Sequence, residues 1–131
     1  MKVIHVSGSR KSAVARATLK PGAGIVRINS KILETIKPKI YQMRIKEPLK
    51  IAGDTASNIN IDVKVKGGGV ASQADAARLA IARALVALDS NLQKDFLTYD
   101  RTLLIADIRR KETHKPNTHG KARAKRQKSY R

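Results

Sequence analysis

The chain has no cysteine. That excludes disulfides, thiolate nucleophiles and thiolate metal sites, and it fits a reducing compartment. Aromatic residues are almost as scarce: there is no Trp, and the rings are Tyr41, Phe96, Tyr99 and Tyr130. A platform that stacks unpaired bases needs several rings on one surface, so that mode of single-strand binding is disfavoured. No run of 18 apolar residues occurs, so nothing reads as a membrane-spanning helix. The N-terminus also lacks the apolar run of a secretory signal.

Acids are scarce as well. The chain carries 10 Asp/Glu against 28 Lys/Arg, a formal charge of +18 over 131 residues. The carboxylates are Glu34, Glu47, Asp54, Asp62, Asp75, Asp89, Asp95, Asp100, Asp107 and Glu112. They are scattered, and no spaced pair suggests an acid–base couple. Surface charge balance and helix capping are their ordinary roles. The three histidines are His5, His114 and His119. Without Cys they lack the company a zinc site needs. Gly67-Gly68-Gly69 is not followed by the Lys-Ser/Thr of a phosphate-binding loop, so nucleotide hydrolysis is unsupported. The glycines read first as a tight strand-to-helix connection, and a bound phosphate there is the alternative. No catalytic residue, cofactor, metal or small-molecule substrate is implied.

What the chain does have is unevenly placed cations. Residues 109–131 read RRKETHKPNTHGKARAKRQKSYR, with ten Lys/Arg and one acid. That is +9 in 23 residues, and the preceding 108 residues carry the other +9. The tail contains no Leu, Ile, Val, Phe, Met or Trp. It cannot bury enough apolar surface to offset the entropy of ordering itself, so alone in water it is expected to be disordered and extended. It would take shape only against dense negative charge. Nucleic acid is the leading candidate, with an anionic membrane surface as the alternative. Fully extended, the tail spans about 70 Å at ~3.3 Å per residue, far beyond a domain radius of roughly 13 Å. The expected organisation is a globular domain, residues 1–108, and a basic tail, residues 109–131.

Periodicity divides the first part. Val3 to Val6 reads as a strand that runs into the basic turn Ser9-Arg10-Lys11-Ser12. Ala13 to Lys20 alternates, with Ala13, Ala15, Ala17 and Leu19 on one face. Pro21-Gly22-Ala23-Gly24 is a turn, and Ile25 to Ile28 reads as the return strand of a hairpin. Residues 30–36 suggest one helical turn. A helix from Pro38 presents Ile40, Met43 and Tyr41, and Pro48 should end or kink it. Around Gly53-Asp54-Thr55 a loop is expected.

Asn58 to Lys66 is the clearest strand, with Ile59, Ile61, Val63 and Val65 on one face and Asn60, Asp62, Lys64 and Lys66 on the other. A long helix from Val70 to Leu88 carries Val70, Ala74, Ala77, Ile81, Ala84, Leu85 and Leu88 in one stripe. Ser72 and Asp75 have the spacing of a capping pair. Leu79 and Val86, off that stripe, suggest a second contact. Asn91 to Tyr99 is a short helix, and Leu103 to Ile108 reads as a last strand. The expected class is α+β, with a small four-stranded sheet packed by helices.

Three segments carry a resemblance. Gly8-Ser9-Arg10-Lys11-Ser12-Ala13-Val14-Ala15-Arg16-Ala17, then Val65-Lys66-Gly67-Gly68-Gly69 through the long helix to Leu85, then Gly120-Lys121-Ala122-Arg123 with the terminal Gln127-Lys128-Ser129-Tyr130-Arg131, together resemble the small-subunit ribosomal protein nine family. The Lys-Ser-Tyr-Arg ending is similar to its archaeal and eukaryotic members. Arg126 stands where close eukaryotic relatives often carry an aromatic residue.

The resemblance implies a fold like the second domain of ribosomal protein five, with a left-handed βαβ crossover. It implies a cytoplasmic protein in the head of the small subunit, bound to its rRNA and to neighbouring head proteins. The tail would then reach the tRNA in the P site. On this reading Arg10, Lys11, Arg16, Arg109, Arg110, Lys111, Lys115, Lys121, Arg123, Lys125 and Arg126 contact rRNA. Lys128 and Arg131 contact tRNA. The competing readings are a free nucleic-acid-compacting protein and, more remotely, a nuclease built on His114 and His119. A tail without fixed geometry is a poor frame for catalysis.

Overall fold

The computed structural model describes residues 3–36, 39–110 and 113–116. Ile4–Arg10 (β1) and Ala13–Pro21 (β2) form an antiparallel hairpin in which Arg10 faces Ala13. Its two-residue turn is Lys11-Ser12, with Lys11 at φ 53°. Ile59–Lys66 (β5) lies antiparallel along the other side of β2, with Ala17 opposite Val63. Val26–Ile28 (β3) runs parallel to β5, and Lys31–Ile32 (β4) closes the edge. The sheet therefore has five strands in the order β1-β2-β5-β3-β4, one more than expected.

The hairpin expected between β2 and β3 is not formed, because β5 sits between them. The Pro21–Gly24 turn is closed on β5 instead. Gly22 N–H and Gly24 N–H donate to the Asn58 and Ile59 carbonyls, both at 3.0 Å. Asn60 Oδ1 accepts from the N–H groups of Ala23 and Ile25 at 3.0 and 3.1 Å. Beyond the end of β3, Asn29 extends the pairing with its side chain. Its Oδ1 accepts from Val65 N–H at 2.8 Å and its Nδ2 donates to Val65 O at 3.3 Å. Both local turns are thus specified by partners some 35 residues away.

One face of the sheet is covered by helices. Ala13, Ala15, Ala17 and Leu19 of β2 are at most 1% exposed, and Ile59, Ile61, Val63 and Val65 of β5 at most 6%. Each fully buried Ile or Val contributes about 1.5–3 kcal/mol, so these two strands alone fix the sheet's inner side. The long helix Val70–Leu88 (α3) lies on it and runs as the sequence periodicity predicts. Its expected stripe is buried from Ala74 to Leu85, Leu88 is partly buried, and Val70 is 55% exposed. Leu79 is 3% exposed, and the second contact it called for is β1 of its own chain, beside Gly8. The expected Ser72–Asp75 capping pair is not made. Gly69 is the N-cap, with no side-chain bond, and Asp75 turns to arginines instead.

Lys39–Ala52 (α1) passes through Pro48 without ending. The missing N–H and the ring clash cost stability, but the Pro48 ring is fully buried. The turn before it is braced by Arg44 on Asp75 and Glu47 on Arg78. Both pairs have a sequence offset of 31, so α1 and α3 run in the same direction. This docking also sets which face of α1 turns inward. Gln42, Ile45, Pro48 and Ala52 are buried, whereas Ile40 and Met43, the expected inward pair, are 65% and 52% exposed.

A short helix, Asp54–Ser57 (α2), occupies the expected loop, and a 3-10 turn, Leu33–Thr35, the expected helical turn. Leu92–Tyr99 (α4) forms as expected and buries Leu92 and Phe96. The last expected strand is absent. Asp100 accepts from Thr102 N–H and starts a 3-10 turn, Arg101–Leu103, and residues 106–110 form neither helix nor strand.

β1 approaches α3 closely at Gly8. A Cβ there would stand 2.8 Å from both Ala76 O and Ala80 N, so no side chain fits unless β1 lifts from α3. Gly8→Ala should destabilise the fold by about 1–3 kcal/mol, the usual cost of overpacking. Urea unfolding at pH 7 checks this, and an unchanged midpoint would mean that β1 is not held at that distance.

Candidate nucleic-acid interface

Two groups of cations stand apart among the described residues. The first lies on the helix side and is neutralised. Arg44 Nη1 donates to Asp75 at 2.9 Å, and Arg10 sits between Asp75 at 3.9 Å and Asp107 at 3.6 Å. Arg109 completes the chain on Asp107 at 2.7 Å. Beside it, Arg78 pairs with Glu47 at 2.6 Å and Asp100 at 3.2 Å. Four arginines thus meet four carboxylates. The group has no net charge to attract a polyanion, and its business is to tie α1, α3, β1 and the stretch after α4 together.

Asp107 is held well below the usual carboxylate range, chiefly by the Arg109 side chain, then by the Arg109 N–H and the charge of Arg10. Asp100 is lowered first by the Thr102 N–H, then by the Thr102 hydroxyl and by Arg78. Arg109 is raised in turn by Asp107.

These contacts fix where the basic tail starts. Arg83 donates from Nε to Leu104 O at 3.1 Å and from Nη1 to Ser7 O at 3.0 Å, pinning the exit path to β1. Arg110 Nη2 donates to Ser9 Oγ at 2.7 Å. Arg110 is therefore held beside the end of β1, near the β1–β2 turn.

The second set stands on the open face of the sheet. Strand register places the outward residues in rows. His5, Thr18, Asp62 and Arg27 lie side by side across four strands. Ser7, Arg16 and Lys64 form the next row, and Ser9, Val14 and Lys66 the third. Lys20 faces Asn60 on the other side of the first row. Arg16, Lys20, Arg27, Lys64 and Lys66 are all exposed. None of the five has an ion pair or hydrogen bond among the described residues. Asp62 is the single acid among them.

The sequence-derived candidates divide accordingly. Arg16 is on the open face and Lys11 at the hairpin tip, both exposed. Arg10, Arg109 and Arg110 belong to the tail root. Lys115 and His114 are exposed. Lys111, Lys121, Arg123, Lys125, Arg126, Lys128 and Arg131, with His119, lie outside the described residues. Lys20, Arg27, Lys64 and Lys66 were absent from the candidates. The alternation along β2 and β5 already turned Lys20, Lys64 and Lys66 outward, but only the pairing of the strands shows that they share one surface with Arg16 and Arg27. Among the described residues no cluster of His, Cys or carboxylates has the makings of a metal site. No helix there is long and apolar enough to cross a membrane.

The root network makes a pH-dependent contribution. The folded-state value of Asp107 lies below that of an unfolded Asp, about 3.9. Its stabilisation is therefore full above about pH 4 and is lost as the pH falls through the folded value. Asp107→Asn should be less stable than the parent at pH 7. The gap should persist to about pH 4 and narrow below it. Paired urea titrations from pH 7 to pH 2.5 read this, and a gap that widens on acidification would contradict it.

Known proteins resemble the chain over its whole length. The family model described as Ribosomal protein S9/S16 matches residues 8–131. The small ribosomal subunit protein uS9 of Methanococcus maripaludis, in strains S2 and C7, is 52% identical over 134 aligned positions covering all of both chains. That of Methanococcus vannielii is 50% identical over the same span. The chain belongs to the ribosomal protein S9/S16 family, whose members are structural proteins of the ribosome and not enzymes.

Proposed function

We propose that the chain is a structural constituent of the small ribosomal subunit in the cytoplasm. Residues 1–108 anchor it on small-subunit rRNA in the head, beside neighbouring head proteins. Residues 109–131 run from there as a basic tail whose end meets the tRNA in the P site. The observation that carries this reading is the segregation of charge: +9 in 23 residues without an aliphatic anchor, following a root tied to β1. In this account Lys111, Lys115, Lys121, Arg123, Lys125 and Arg126 neutralise rRNA phosphates along the tail's path. Lys11 and Arg16 do so on the domain. Arg10, Arg109 and Arg110 set the direction in which the tail departs. Arg131 takes a tRNA phosphate with Lys128 beside it, a role suited to the planar, two-pronged guanidinium. The crossover from β3 through α1 to the parallel strand β5 takes the left-handed sense that the family resemblance implies.

Deleting Arg131 should weaken tRNA retention in the P site by about tenfold, the ~1.5–3 kcal/mol of one charge-assisted contact allowing for partial replacement by Lys128. Subunit assembly should be unaffected. Filter binding of tRNA to reconstituted subunits measures it. Unchanged retention would remove the tail end from the tRNA site.

A further inference from the structure

We propose that the open face of the sheet docks against the minor groove of an A-form RNA duplex. Arg16, Lys20, Arg27, Lys64 and Lys66 take phosphates from its two strands, and Asp62 accepts a hydrogen bond from a ribose 2′-hydroxyl between them. The proposal rests on rRNA being the partner and names the surface and the form of RNA that it fits.

Charge is the first argument. Arg10, Arg44, Arg78, Arg83 and Arg109 are matched by carboxylates or carbonyls, whereas these five cations share one open face without side-chain partners among the described residues. With Asp62 counted, the face carries +4. Shape is the second. At ~3.3 Å per residue and ~4.8 Å between strands, the patch measures roughly 20 Å from the Lys20–Asn60 row to Lys66, and roughly 10 Å from β2 to β3. A broad, open surface of that size suits the wide, shallow minor groove of A-form RNA and cannot enter its deep, narrow major groove.

The chemistry of the face excludes unpaired bases. Its single ring is His5, whose Nδ1 is 3.1 Å from Thr18 Oγ1. It therefore offers no stacking platform. Asp62 is the telling residue. A carboxylate among phosphate-binding cations weakens phosphate binding unless it meets a donor, since it can only accept. The 2′-hydroxyl is the donor that RNA displays in this groove and DNA lacks. A shallow depression of about 440 Å³, lined by His5, Ser7, Arg16, Thr18, Asp62 and Lys64, gives a ribose edge room beside that carboxylate.

Two measurements on the full chain test this. The first uses a labelled subunit. Because the parent has no cysteine, Val14→Cys on this face accepts a single iron chelate that generates hydroxyl radicals. In reconstituted small subunits it should cut both strands of one rRNA helix, offset across a minor groove. Cleavage of a neighbouring protein instead, or no cleavage of paired RNA, would overturn the proposal.

The second compares a perfect RNA duplex with a DNA duplex of the same sequence. Asp62→Ala should reduce the RNA preference by about tenfold or more, the worth of one hydrogen bond to a charged group. Replacing both Lys64 and Lys66 by Gln should flatten the salt dependence by about 0.9 log units per decade for each cation removed. An unchanged slope and preference would exclude this face even if the chain enters small subunits normally. A chain that fails to enter small subunits would remove the ribosomal reading itself, and this proposal with it.

Discussion

The alternation along β5 is the constraint on which the rest of the structure depends. Ile59, Ile61, Val63 and Val65 point one way and Asn60, Asp62, Lys64 and Lys66 the other. A slip of one residue would expose four aliphatics and bury two lysines and an aspartate, at a cost no other contact in so small a domain could offset. With that register fixed, β5 has one side for β2 and the other for β3. The helices can cover only the aliphatic face, and the lysines have nowhere to go but outward. The same strand thus creates the core and one of the cationic surfaces.

The second consequence is a division of labour among cations. Where helices cover the sheet, every arginine that would be desolvated has been given a carboxylate or a carbonyl, because a buried charge left alone is far more costly than a paired one. Arg10, Arg44, Arg78 and Arg83 are spent in this way. Where no helix covers it, the cations are left unpaired and keep their full attraction for phosphate. Pairing around Asp107 then does a further job: it ties residues 107 and 109 to β1 and, through Arg10 and Asp75, to α3.

Much of this was legible in the sequence. β2, β5 and α3 were read correctly because each has an unbroken apolar period long enough to fix its phase. The misreadings share one physical cause: a local signal was overruled by a distant partner. Pro21-Gly22-Ala23-Gly24 looks like a hairpin turn, yet its N–H groups are claimed by Asn58, Ile59 and Asn60. Ile40 and Met43 look like the inward face of α1, yet Arg44 and Glu47, by pairing with α3, rotate them outward. Leu103 to Ile108 has the composition of a strand, yet Asp100 folds its start into a turn. The site divides in the same way. Arg16 and Lys11 could be named from exposure alone. That Arg10 is bound by Asp75 and Asp107, while Lys64 and Lys66 are not bound, follows only from strands and helices that meet in three dimensions.

The claim that the fold sorts its cations into a paired set that stabilises and an unpaired set that binds is open to one direct measurement. Each of Arg10, Arg44, Arg78, Arg16, Arg27 and Lys64 would be replaced singly by Gln, and both the unfolding midpoint and the salt dependence of rRNA binding recorded. The account predicts two separate groups. Arg10, Arg44 and Arg78 variants lose stability and keep the parental salt slope, while Arg16, Arg27 and Lys64 variants keep stability and lose slope. A single continuous trend, in which every cation affects both quantities alike, would contradict it.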